Sequence, residues 1–83
     1  MKRIKWRAKA LRQLRKIKDN NIKTDIYDAV EKLKNFPDCP NIRKLVNRND
    51  YRLTVGKWRV IFTADLEIIC IEEVLKRNEH TYK

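Results

Sequence analysis

The stretch that decides the fold is Tyr51-Arg52-Leu53-Thr54-Val55-Gly56-Lys57-Trp58-Arg59-Val60-Ile61-Phe62. Apolar residues alternate with Arg52, Thr54 and Arg59 on either side of Gly56, the only glycine in the chain. Period-two alternation marks a half-buried strand. A glycine at the first position of a two-residue turn closes two such strands into a hairpin. That turn pairs Val55 with Trp58, Thr54 with Arg59, Leu53 with Val60 and Arg52 with Ile61. Directly opposed residues share a face. Tyr51, Leu53, Val55, Trp58, Val60 and Phe62 therefore form the packing face, and Arg52, Thr54 and Arg59 project together from the other.

Downstream, Ala64-Asp65 turns the chain into Leu66 to Val74, whose Ile68, Ile69, Cys70 and Ile71 suit a central strand covered on both faces. Upstream, Asn47-Arg48-Asn49-Asp50 is a polar turn cluster, and Ile42 to Val46 reads as a short strand or an extended loop. Pro37 to Pro40 is a turn. Ile26, Tyr27, Val30 and Leu33 mark a helix, with Thr24 or Asp25 as its N-cap and Asn35-Phe36-Pro37 as its stop. Before it, Ala10, Leu11, Leu14 and Ile17 recur at helical spacing, and Asp19-Asn20-Asn21 ends that stripe. The short link makes the two helices a hairpin. Met1 to Trp6 alternates as an edge strand. The order β-α-α-β-β-β predicts an α+β fold in one domain over residues 1–83. An N-terminal strand and a helical hairpin precede a three-stranded antiparallel meander, and all the strands form one small sheet.

Composition narrows the function. A formal charge of +10 on 83 residues attracts polyanions and steers encounter with nucleic acid or an acidic partner. No apolar run approaches the ~20 residues of a membrane span. The charged N-terminus lacks a signal peptide's apolar core, so a cytoplasmic location is expected. Cys39 and Cys70 are expected to be free thiols. With one histidine and no clustered ligands, no metal site is expected. A single glycine cannot build a phosphate-cradling loop, which argues against nucleoside-triphosphate chemistry. No cofactor is implied.

Arginine binds phosphate through a planar fork that lysine cannot copy, so Arg52 and Arg59 on one face suit a phosphodiester, although such a face is often only solvated charge. Arg77, His80 and Tyr82 follow the last strand. His80 is either an exposed tail residue or a general acid or base, since imidazole titrates near neutrality. Tyr82 can exchange a proton or stack on a base. Lys9, Arg12, Arg15, Lys16 and Lys18 line the outer face of the first helix, as a solvated face or a docking surface for nucleic acid. Trp6 and Trp58 are read as core.

With the hairpin and the Val74-Leu-Lys-Arg-Asn-Glu-His-Thr-Tyr-Lys83 ending in view, the chain resembles the RelE/ParE superfamily of toxins, on the RelE/HigB side. The resemblance spans nearly the whole chain, from the opening strand through Trp6-Arg-Ala-Lys-Ala-Leu-Arg-Gln-Leu14. It implies a type II toxin–antitoxin toxin that cuts mRNA on the ribosome without a metal, the 2′-hydroxyl attacking its neighbouring phosphate. By position, it implies Arg52, Arg59 and Arg77 as phosphate-binding residues, with His80 and Tyr82 as proton-transfer or stacking groups. Lys9, Arg12, Arg15, Lys16, Lys57 and Lys76 would contact RNA or the ribosome. Thr54 stands where RelE carries a second lysine. The implied partners are a cognate, DNA-binding antitoxin, the ribosome and mRNA, with no membrane. The alternatives are a ParE-like inhibitor of DNA gyrase, or a non-catalytic basic RNA-binding module.

Overall fold

The computed structural model describes residues 2–45 and 49–76. Its elements are β1 (Arg3–Trp6), α1 (Ala8–Arg15), α2 (Asn20–Glu31), a 3₁₀ turn over Lys32–Asn35, β2 (Ile42–Lys44), β3 (Tyr51–Val55), β4 (Trp58–Ala64) and β5 (Ile68–Lys76). The strands form one mixed sheet in the order β1-β5-β4-β3-β2. The expected meander is present as β3, β4 and β5, antiparallel throughout. The sheet is wider than expected, with five strands. β1 joins β5 in parallel, Trp6 lying opposite Ile71. β2 joins β3 antiparallel, Arg43 lying opposite Arg52.

The hairpin register is the one the turn dictates, with Val55 opposite Trp58 and Arg52 opposite Ile61. Gly56 takes φ 58°, a conformation L side chains rarely adopt, although a Cβ there would meet nothing within 4 Å. Glycine is needed for its backbone rather than for space.

α1 and α2 pack on one face of the sheet. In α2 and the turn after it, Ile26, Val30 and Leu33 recur on one stripe and are fully buried, against Val60, Phe62, Ile69 and Ile71 from the sheet. Burying a side chain of this size contributes about 1.5–3 kcal/mol. Phe36 and Tyr51 close the core over Phe62, with ring centroids 5.0 to 5.7 Å apart. Trp6 and Trp58 both pack against this core, as expected, and Trp6 stacks on Tyr27.

Two expectations are corrected. The second helix begins at Asn20 with Asp19 as its N-cap, rather than at Thr24 or Asp25. Asp19 Oδ1 accepts from the backbone N–H groups of Asn21 (2.9 Å) and Ile22 (3.3 Å), so the polar run that ends one stripe starts the next. The last strand has a neighbour on each side but is covered on one face only: Ile69, Ile71 and Val74 are buried, while Ile68 is exposed and Cys70 half-exposed. It also starts later than expected. Asp65 Oδ1 accepts from the N–H groups of Glu67 and Ile68, which holds a turn that leaves Leu66 93% exposed.

Candidate nucleic-acid interface

The face of the sheet away from the helices is built by strand register. β3 and β4 present Arg52 opposite Ile61 and Thr54 opposite Arg59. β2 adds Arg43 directly across from Arg52. Two like charges in direct cross-strand opposition cost about 0.2–1 kcal/mol. Arg43 was missed by sequence reasoning, since its place depends on the register of a three-residue strand.

Arg52 is half-buried, and its Nε is removed from solvent with no hydrogen-bond partner among the described residues. A buried guanidinium N–H without an acceptor is costly, and the group it would best satisfy is an oxyanion. Arg59 is half-buried one register step away, and Thr54 is exposed beside it.

Lys57 and Lys76 lie at one end of the sheet. With Trp58, Val55, Ile22 and Asp25 they line a cleft of about 370 Å³ under the hairpin turn. Arg12, Arg15 and Lys16 are exposed on α1. Lys9 is exposed beside them, and its Nζ also lies 2.9 Å from Glu73 Oε1. Arg7 makes the companion contact, its Nε donating to Glu72 Oε1 at 2.8 Å, and this bond raises the guanidinium pKa further. Thr63 Oγ1 donates to Glu72 Oε2 at 3.3 Å. Arg77, His80 and Tyr82 lie outside the described residues.

The glutamates reach this face together because of a register shift. Ile61 opposes Glu73 while Phe62 opposes Ile71, so Glu72 is an extra residue in β5. A β-bulge of this kind re-aims side chains locally. Nothing in the sequence marks it. The cysteines are free, as expected, and burial pushes both thiols up, so neither is disposed to act as a thiolate. No helix among the described residues is long and apolar enough to cross a membrane, and no metal-binding cluster occurs among them.

Three solved toxin complexes share this architecture. The RelB–RelE antitoxin–toxin complex of Methanococcus jannaschii aligns at 21% identity and TM-score 0.74, covering 88% of this chain and 89% of that one. The RelBE2 toxin–antitoxin complex of Mycobacterium tuberculosis gives 17% identity, TM-score 0.79 and coverage of 92% and 98%. The RelE–RelB complex of Pyrococcus horikoshii gives 20% identity, TM-score 0.79 and coverage of 94% and 97%. At such identities the likeness establishes the fold alone. No curated protein sequence matches at a significant level. The sequence model of the ParE toxin of type II toxin–antitoxin systems, however, matches residues 4–81, nearly the whole chain. This chain therefore belongs to the RelE/ParE superfamily and is the toxin of a type II toxin–antitoxin system.

Proposed function

We propose that the toxin acts as a ribosome-dependent, metal-independent mRNA endonuclease. The observation that carries this reading is Arg52, whose Nε is buried without an acceptor among the described residues, on a face it shares with Arg43 and Arg59. A face that keeps cations close together at a cost to its own stability is suited to a phosphodiester. The 2′-hydroxyl of one nucleotide attacks the adjacent phosphorus. The bond to the 5′-oxygen breaks, leaving a 2′,3′-cyclic phosphate and a 5′-hydroxyl. Arg52, Arg59 and Arg77 position the phosphate and stabilise the charge that grows on its oxygens. His80 serves as general acid or base, and Tyr82 stacks on a base or protonates the leaving oxygen. The exposed Arg12, Arg15 and Lys16 contact ribosomal RNA.

An antitoxin holds the toxin inactive between uses. The three structures with the same fold are toxin–antitoxin complexes, which supports that partner, and a charge of +10 favours an acidic one.

The test is induced expression of the wild type and of an Arg59→Ala/His80→Ala pair, followed by mapping of mRNA 5′ ends. Codon-phased new ends with the wild type alone are expected. Growth arrest without new ends, together with blocked supercoiling by gyrase, would replace this reading with gyrase inhibition. Binding of RNA with no arrest would leave a non-catalytic module.

A further inference from the structure

We propose that Glu72 and Glu73 form a base-reading subsite that favours a nucleobase with an exocyclic amine over uracil; this rests on the nuclease reading above. The open face of the sheet is divided by charge. Arg43, Arg52 and Arg59 occupy its β2–β3–β4 side, and the two carboxylates occupy its β5 side. One cross-strand row runs Arg43, Arg52, Ile61, Glu73. From Arg52 to Glu73 the row crosses two strand spacings, about 10 Å, comparable to the reach from a phosphate to the far edge of its own base.

Beside that row lies a cleft of about 390 Å³ lined by Arg7, Lys9, Asp50, Thr63, Glu72 and Glu73. Both carboxylates enter it only because Glu72 is the extra residue of the bulge; strict alternation would turn one of the two toward the core. Both are held in place. Arg7 and Thr63 fix the two oxygens of Glu72, and Lys9 fixes Oε1 of Glu73. The glutamate side chains are 25% and 29% exposed, against 56% and 60% for their cationic partners, so the carboxylates form the wall and the cations the rim.

Arg7 and Lys9 neutralise the two carboxylates, whereas Arg43 and Arg52 oppose each other on the other side, so phosphate is drawn to the arginine side and the base falls on the glutamate side. Carboxylates accept hydrogen bonds and do not donate them. The N4 amine of cytosine, and the corresponding amines of adenine and guanine, can donate to them. Uracil presents a carbonyl oxygen in place of the cytosine amine. Ile61, between Arg52 and Glu73, supplies an apolar floor.

The test uses the full-length toxin on ribosomes programmed with mRNAs that differ only in cytosine or uracil at each position of the codon in the decoding site. At one position the wild type is expected to cut the cytosine form about tenfold faster, the discrimination of one good base contact. Glu72→Ala and Glu73→Ala should bring that ratio toward one. The rate on the uracil form reports the folded, active fraction of each variant, so a folding defect cannot imitate the effect. A wild type with no cytosine preference at any position would overturn the subsite. So would a preference that survives both substitutions, or equal slowing on both codons. If the wild type cuts neither RNA, the nuclease reading itself falls and the subsite falls with it.

Discussion

Replacing Arg52 by methionine should make the free toxin more stable while removing its activity. Methionine keeps an unbranched stem in the same half-buried slot but carries no donor. Two costs in the native protein then disappear. The first is the desolvation of Nε, which lies out of solvent without an acceptor among the described residues. An unsatisfied buried donor of this kind costs about 1–3 kcal/mol. The second is the direct opposition of Arg43 and Arg52, a further ~0.2–1 kcal/mol. Against these stands the packing of the longer arginine stem, which methionine replaces only in part. A net gain of about 1–2 kcal/mol follows, which for a domain of this size is a rise of roughly 5–15 °C in Tm. Thermal unfolding by circular dichroism at fixed salt measures it. Arg12→Met is the control, because it removes the same charge from an exposed helix position. It should change stability by no more than about 0.5 kcal/mol. An Arg52→Met protein that melts at or below the wild type would refute the reasoning. Equal stabilisation by Arg12→Met would also refute it, because general charge repulsion would then be the cause.

The other predictions concern the scaffold. Asp19→Ala should cost about 1 kcal/mol by removing the cap of α2, whereas Thr24→Ala should stay within about 0.5 kcal/mol; urea midpoints at unchanged m separate the two. Gln13→Ala should cost about 1–3 kcal/mol, since Gln13 Oε1 accepts from the part-buried backbone N–H of Val74 at 2.7 Å and alanine offers no acceptor. Gln13→Glu keeps an acceptor and should recover most of that loss in the same urea titration. Asp65 titrates below its ordinary value of 3.8, because the N–H groups of Ile68 and Glu67 bond its carboxylate. A depressed folded pKa gives stability that is complete above the unfolded pKa and is lost as pH falls through the folded one. The Tm of Asp65→Ala should therefore fall less steeply than that of the wild type as pH drops below about 5.

The hairpin could be read from sequence to the level of single pairs because one glycine fixed the turn and alternation fixed the faces. From that register followed the grouping of Arg52, Thr54 and Arg59. The helical stripe of α1 was equally plain. What could not be read depended on long-range pairing. β2 is three residues, too short to show a period, and Arg43 entered the face only through its register. The parallel pairing of β1 with β5 joins residues more than sixty positions apart. The isoleucine run of β5 suggested coverage on both faces, yet Ile68 ends exposed, since the helices cover one side only. Asp19 lay in a polar run read as a terminator, and only the bonds to Asn21 and Ile22 identify it as a cap. Lys9 was grouped with the basic helix face because nothing local announced Glu73 as its partner.

The same junction explains both the edge of the sheet and the charge pattern of its open face. β1 runs beside β5 only as far as Trp6, opposite Ile71, and the chain then lifts into α1. An abandoned strand edge exposes backbone groups that invite other strands. Here the Arg7 N–H bonds the Ile71 carbonyl at 3.0 Å, and Gln13 bonds the Val74 N–H, so α1 takes over the edge that β1 leaves. The bulge at Glu72 falls between those two contacts. A regular strand there would turn one glutamate toward the core beneath α1, where an ionised carboxylate without a partner is costly. With the bulge, both glutamates reach the open face and meet Arg7 and Lys9 from the start of the helix. The ion-paired part of an otherwise basic face is thus a consequence of how the sheet ends. Substitutions that straighten the bulge should change the stability of the α1 junction and the chemistry of the face together.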